Sequence, residues 1–320
     1  MRGRDWASKL MSAVNDPAIK NVAIVDAGYI GTEASEVFAK AGKHVTLMDM
    51  IDRPLGTYLN PELLDVLEPT FKKNMDLKMG VKIEGFNGNE KVESVKTDQG
   101  DVPADLVVSA GVTPNTDWLK GTVDLDQRGW IKTDPYLRTN VKDVYAIGDA
   151  ILPLSIPVGK PMPIALATTA RREAQYVVDH IFEDKPDRAF KGVIGASALS
   201  VFDYHFATAG LNKFSAAKNK LDYQTSFYED YMRPAYVPEA DNPKVYVSLT
   251  FNPYTHQILG GAVLSKYDIT AQGNVLALAI SHKMRLEDLA EQDFFFQPGF
   301  DRQWSLLNLA AQHALGMARF

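Results

Sequence analysis

Residues 21–50 read NVAIVDAGYIGTEASEVFAKAGKHVTLMDM, and this stretch decides the fold. Residues 21–25 are a short apolar run of the kind that forms a buried parallel strand. Asp26, Ala27 and Gly28 make a small-residue turn, residues 29–41 carry apolar positions at helical spacing, and residues 44–48 form a second strand that ends on Asp49. Strand, tight turn, helix and strand in this order form the βαβ unit of a dinucleotide-binding fold. The fingerprint of such a turn needs one glycine for the tight bend, a second for close approach of a pyrophosphate and a third for helix–strand packing. Gly28 and Gly31 take the second and third places, while Asp26 stands in the first. A carboxylate there brings negative charge to the phosphate seat, and it strains the turn if a positive φ is required. The helix N-terminus favours a phosphate by roughly 1 kcal/mol, which one nearby unit charge in a partly dry site cancels. Asp49 is placed to accept hydrogen bonds from adenine-ribose hydroxyls and to repel a 2′-phosphate, which points to NAD rather than NADP. The plainer reading is that Gly28 and Gly31 only let the helix pack on the sheet and that Asp49 is a solvated strand end.

Outward from this unit, Asn60 followed by Pro61 reads as an N-cap with proline in the first helical position, opening a helix to about Asn74. Residues 77–110 change to short strands with polar turns, expected as a β-meander closing the region. The loop at 111–116 is the first expected boundary. Residues 144–147 read as a further apolar strand, a proline-rich stretch covers 152–163, and a helix is expected over about 165–182. After the charged turn at 183–188, strands are expected near 192–200, 221–229, 244–251 and 257–264. Helices follow near 270–283, 285–290 and 302–315, the order of a separate α+β domain. The chain is therefore expected to be α/β, in three regions: 1–111, 112–188 and 189–320.

Hydrophobic residues make up 46% and charged residues 23%, the balance of a soluble globular protein. A net charge of −6 leaves no electrostatic footprint for nucleic acid or an anionic membrane. Charge or proline interrupts every long apolar stretch, and residues 1–17 contain no apolar signal core, so a cytoplasmic location is expected. There is no cysteine. Disulfides, thiolate nucleophiles and cysteine-bound metals are thereby excluded within these residues, and no metal site is expected.

The stretch VYAIGDA ends in Gly148 and Asp149, and an aspartate after a buried strand and a glycine can reach a polar cofactor chain lying across the strand end. Together with GYIGTEASEVFAKAGKHVTLMDMIDRPLG, GVTPNTDWLKG, IALATTARREA, VFDYHFATAG, LSKYDIT and DFFFQPGFDRQWSLLNLAAQ, it makes nearly the whole chain resemble the NADH peroxidase and water-forming NADH oxidase branch of the pyridine nucleotide-disulfide oxidoreductases. The resemblance implies a Rossmann-like NAD-binding domain, the remaining half of a split FAD-binding domain and a C-terminal dimerisation domain. It implies FAD and NAD as cofactors and hydrogen peroxide or oxygen as substrate. Asp149, after Gly148, resembles the aspartate that binds the FAD ribityl chain. Ala165, Leu166, Ala167 and Thr168 resemble the helix start at the isoalloxazine. Tyr29 and Ile30 look like the side chains beside flavin and nicotinamide, with Glu33 near the nicotinamide, and Gly111 counts among the cofactor-binding positions.

Arg171 is similar to an arginine found near the redox cysteine of the peroxidases. Residues 294–298 resemble a segment that approaches the partner's flavin, implying a homodimer through 189–320. In that family a preceding segment supplies a second βαβ unit, the redox cysteine and a histidine; none has a counterpart here. The chain is thus expected to be an N-terminally truncated, impaired NADH peroxidase. The alternatives are a fragment of a water-forming NADH oxidase and a non-catalytic, dimeric, NAD-binding remnant. Arg171 and VFDYHFA lean towards the peroxidase, whereas SKYDIT and YMRPAYVPE occur as readily in oxidases. Thr169, where asparagine is usual, and Asp26 are departures from the family pattern.

Overall fold

The apolar run at 21–25 forms strand β1 (Asn21–Val25), whose three central residues are buried. It is followed by α2 (Tyr29–Lys40) and β2 (His44–Asp49), while a first helix, α1 (Gly3–Asn15), precedes it. This computed structural model describes residues 3–184 and 186–317. Both chain ends of the three expected regions, and Lys185 in the charged turn, lie outside them. Helix α1 was not expected. Its Leu10, Ala13 and Val14 pack on the first core, a short helical stripe hidden among polar residues. Gly42, at φ +76°, ends α2 in the left-handed conformation, and Lys43 N–H reaches back to Phe38 O at 3.1 Å.

Helix α3 (Pro61–Asn74) runs as expected. Asn60 occupies the cap position but makes no side-chain cap. Its amide instead donates to Ser248 Oγ at 2.6 Å and accepts from Lys213 N–H at 2.7 Å, both far along the chain. The expected meander over 77–110 is only partly present. Strands β4 (Ile83–Asn87), β5 (Ser94–Thr97) and β6 (Val102–Pro103) form a three-stranded antiparallel sheet. The flanking β3 (Asp76–Met79) and β7 (Leu106–Ser109) join the parallel sheet instead, in the order β3-β2-β1-β7. The run LVVS lacks the alternation of a half-exposed strand, and that is why it belongs beside β1. Asp105 fixes the join, its carboxylate accepting Lys20 and Asn21 N–H at 2.9 and 2.8 Å.

Residues 144–147 do not form the expected strand. They make one antiparallel bridge, Arg138 to Tyr145, and Val144 and Ile147 remain 40% and 37% exposed. An apolar run becomes a strand only where a neighbour offers a continuous row of backbone groups, and here the pairing stops at two bonds, Thr139 N–H to Val144 O and Ala146 N–H to Leu137 O. The middle region otherwise contains the short pair β8 (Leu154–Ser155) and β9 (Lys160–Pro161), then α4 (Ala167–His180). Ala165 and Leu166 precede the helix rather than open it.

The last region is an antiparallel sheet of β10 (Ser197–Val201), β11 (Tyr204–Gly210), β12 (Gln224–Tyr231), β13 (Lys244–Phe251) and β14 (Ile258–Ser265), in the order β10-β11-β14-β13-β12. Helices α5 (Lys213–Lys218), α6 (Gln272–Ser281), α7 (Leu286–Ala290) and α8 (Leu306–Ala314) complete it. Strand β11 and helix α5 were not expected. Strand β10 begins later than expected because Gly192 and Gly195 sit at positive φ, +87° and +79°, which breaks an extended run.

This sheet is covered on both faces. Ala207, Val247, Leu249 and Val263 pack under α6, α7 and α8. Phe206, Tyr246, Ala262 and Leu264, one step out of phase, pack with Ile24, Phe38, Leu63 and Phe71 of the βαβ unit and α3. Period-two alternation thus divides one sheet between two cores. Asn60 is buried at their junction. Asn60→Ala should lower stability in urea by about 1–3 kcal/mol with an unchanged slope, because it leaves Lys213 N–H and Ser248 without their partner; an effect within 0.5 kcal/mol of zero, roughly the scatter of surface substitutions, would contradict this role.

Candidate functional site

The turn between β1 and α2 is held from three sides. Asp26 lies at φ +94°, where residues other than glycine are uncommon. Its N–H donates to Met48 O at 2.9 Å. Asp49, at the end of β2, accepts Ala27 N–H at 2.7 Å and Ile51 N–H at 3.2 Å. Gly31 meets a hard steric requirement, since a Cβ there would stand 1.7 Å from Asp26 O. A Cβ on Gly28 would lie 3.3 Å from the Asp26 carboxylate and 3.4 Å from the Tyr58 hydroxyl. Burial, and then the charge of Asp49, push the Asp26 carboxyl above the usual carboxylate range, while a hydrogen bond from Gly28 N–H pulls it back. Helix α2 has no side-chain cap, so its first N–H groups face this turn without an intrahelical partner.

Tyr29 opens α2 and turns toward the last sheet. Its hydroxyl lies 2.7 Å from Ser197 Oγ and 3.2 Å from Thr208 Oγ1, and those two hydroxyls are 3.2 Å apart. Its ring stacks on Tyr58 at 4.1 Å. Burial raises both phenols; that of Tyr58 is pushed up to about 12, with Tyr29 and then Asp26 adding to the effect. Ile30 and Glu33 are exposed on α2.

In the middle region, Gly148 sits at φ +70° and donates its N–H to Glu173 Oε2 at 2.6 Å. Glu173 is fully buried on α4, and its second oxygen has no partner. Burial raises its carboxyl above the ordinary range, against the pull of the Gly148 N–H. Asp149, Ala165, Ala167, Thr168 and Arg171 are exposed, and Leu166 is half-buried at a helix start without a side-chain cap. Gly111 is exposed, with open space around its Cα. Of the residues 294–298, Phe294 packs on the core while Phe295 is 72% exposed.

A cavity of about 290 Å³ brings these parts together. Tyr29, Asp149, Ala165 and Leu166 line it, along with Tyr58, Ser197 and Thr208. The other expected residues do not line it: Gly28, Ile30, Gly31, Glu33 and Asp49 stay with the turn and α2, and Gly111, Gly148, Ala167, Thr168 and Arg171 border it or lie outside. Sequence reading missed Tyr58, Ser197 and Thr208, which carry no local signal. Glu173 was missed as well, although it falls with Thr169, Tyr176 and His180 on the buried stripe of α4. A carboxylate on such a stripe is anomalous. Among the described residues, no cluster of three or more metal-ligating side chains occurs.

The middle region fits a flavin: an exposed aspartate, a left-handed glycine and an uncapped helix start converge beside one cavity. The βαβ turn does not fit a dinucleotide as it stands, because the Asp26 carboxylate occupies the side from which a pyrophosphate would take Gly28 N–H.

Residues 3–174 match the pyridine nucleotide-disulphide oxidoreductase model, and residues 196–306 match the dimerisation domain of the same group. The chain belongs to the pyridine nucleotide-disulphide oxidoreductase family. The expected cofactors, FAD and NAD, are those of this family, and the Rossmann-like sheet and the C-terminal dimerisation domain agree with the expected fold. The chain is 40% identical over 300 residues to an NADH oxidase of Enterococcus faecalis, covering 92% of this chain and 66% of that protein. It is 32% identical over 317 residues to an NADH oxidase of Mycoplasma pneumoniae, covering 96% of this chain and 65% of that protein. The water-forming NADH oxidase of Lactobacillus brevis, solved with NADH, superposes with a TM-score of 0.92 at 33% identity, over 98% of this chain and 69% of that one. The chain thus spans about two thirds of the length of the curated relatives it matches. Among the described residues no helix is long and apolar enough to cross a membrane.

Gly148→Ala should cost about 1–2 kcal/mol, because an L-residue must hold the left-handed conformation there. Chemical denaturation measures this directly, and an unchanged midpoint would mean that the 148–150 turn relaxes freely.

Proposed function

We propose that these residues form the nucleotide-facing, flavin-facing and dimerising parts of an FAD-dependent NADH oxidoreductase that reduces oxygen or hydrogen peroxide to water. The observation that carries this reading is the convergence of Tyr29, Asp149 and the pair Ala165–Leu166 on one cavity, from three separate stretches of chain. The division into 1–111, 112–188 and 189–320 follows the same parts. FAD, when bound, supplies the two-electron chemistry between a nicotinamide and the oxygen species. Asp149 would accept hydrogen bonds from the ribityl hydroxyls. The uncapped start of α4, at Ala167 and Thr168, would direct unpaired N–H groups and partial positive charge at the ring. Tyr29 would close the cavity on the nicotinamide side, its hydroxyl held by Ser197 and Thr208.

Oxygen as acceptor is supported by the similarity to proteins named NADH oxidase. Peroxide is supported by Arg171, exposed in the second turn of α4 and similar to an arginine of the peroxidases. Either acceptor requires a sulfur that cycles through a sulfenate in this family, and these residues contain no cysteine. By themselves they therefore provide the binding frame and leave the sulfur chemistry to residues outside them. A homodimer is supported by the dimerisation-domain match and by the exposed Leu278, Phe295, Phe300 and Trp304, apolar side chains that a partner would cover.

The test is the visible spectrum after incubation with excess FAD and gel filtration. Retained flavin absorbance, with no peroxide-stimulated loss of NADH above that of free FAD, is the expected result; a colourless eluate would remove the flavin reading, and clear turnover would remove the impaired one. Sedimentation at micromolar concentration should show a dimer without cofactor, and a clean monomer would exclude dimerisation through 189–320.

A further inference from the structure

We propose that Asp26 is a built-in occupant of the phosphate seat, its carboxylate standing where a dinucleotide's pyrophosphate would meet the turn, so that the βαβ unit shuts out NADH until Asp26 is neutralised. The inference rests on the reading of this unit as a dinucleotide site and goes beyond it, since it concerns why the chain's own turn is closed.

Three observations carry it. Carboxylates already crowd the turn: Asp49 takes Ala27 N–H at 2.7 Å, and the Asp26 carboxylate stands against Gly28, 3.3 Å from where a Cβ on that glycine would lie. The backbone of the turn is fixed where Asp26 leaves it, because its carbonyl lies so close to Gly31 that a Cβ there would come to 1.7 Å. Asp26 also keeps φ +94°, an arrangement that glycine would hold without strain. A side chain held there against steric preference is part of the seat rather than a bystander.

The titratable groups facing Asp26 are Asp49 at the end of β2 and Tyr58 from the loop after it, with Tyr29 of α2 stacked on Tyr58. None of them carries a positive charge. An incoming pyrophosphate would therefore meet two carboxylates in a half-buried turn, with only the partial positive charge of the α2 N-terminus to offset them. The rest of the frame is intact: Gly31 lets α2 approach β1, Asp49 ends β2, and α2 begins without a side-chain cap. Removing one charge should therefore restore binding. The Asp26 carboxyl is raised by burial and by Asp49, so a proton is the natural neutralising agent. Binding by the unaltered chain should then tighten as pH is lowered toward the carboxylate range, where a raised carboxyl takes up its proton first.

The experiment is a titration with NADH, followed by its fluorescence, on the full chain and on the Asp26→Gly and Asp26→Asn variants at low salt. Circular dichroism first checks that each variant is folded; Asn, which tolerates left-handed φ, serves if Gly loosens the turn. We expect both variants to bind about tenfold more tightly or better at pH 7.5, the scale of removing one nearby charge. The unaltered chain should gain affinity as the pH is lowered, and Asp26→Asn should lose most of that gain. Equal affinity for all three overturns the proposal. Absence of binding by either variant also overturns it, and takes with it the reading of the unit as a dinucleotide site, whereas flavin uptake in the middle region stands or falls separately.

Discussion

The structure depends on one sheet that has no free face. The strands β11, β13 and β14 send alternate side chains into two cores, one beneath α6, α7 and α8 and the other against the βαβ unit and α3. At roughly 25 cal/mol per Å² of apolar surface removed from water, burial on both sides of the same strands is the largest stabilising contribution available to the chain. Strand β14 is buried at every position. The region expected to stand apart as an α+β domain is therefore the floor on which the first region rests, and the two share polar ties as well as apolar ones. Asn60 and Tyr29 both cross this junction, to Ser248 in one case and to Ser197 and Thr208 in the other.

Those ties explain which parts of the fold were legible from residues alone. The run NVAIV and the helical spacing after it are local signals, and β1, α2 and β2 lie within a residue of where the pattern put them. Residues 144–147 looked just as apolar, yet a strand is a property of two segments, and the second one, 137–139, pairs with it over a single bridge. Strand β11 has the opposite problem: YHFATAG shows little contrast between polar and apolar positions because both of its faces are covered. Asn60 carried the right residue type for a cap, and long-range packing gave its amide different partners. Tertiary demand overrode local preference at each of these places.

The site shows the same division. Asp26, Gly28, Gly31 and Asp49 could be read from spacing because a turn is local chemistry, and the expected strain at Asp26 is present in its φ. The cavity could not be read that way. Its walls come from stretches more than a hundred residues apart, and Tyr58, Ser197 and Thr208 become meaningful only once Tyr29 is seen to bond and stack with them. Glu173 lies between the two cases, a buried acid whose partner is the backbone of Gly148.

The shared core also imposes an order on biosynthesis. Strand β1 cannot complete its sheet until Leu106–Ser109 has been made, and the apolar surface around Ile24 and Phe38 has no cover until Phe206 and Leu264 arrive. At roughly 5–20 residues per second, the nascent first region therefore waits on the order of ten seconds or more beside the ribosome with an unshielded apolar flank. A stall in translation before β14 would leave the Rossmann-like unit with that apolar flank open to other chains.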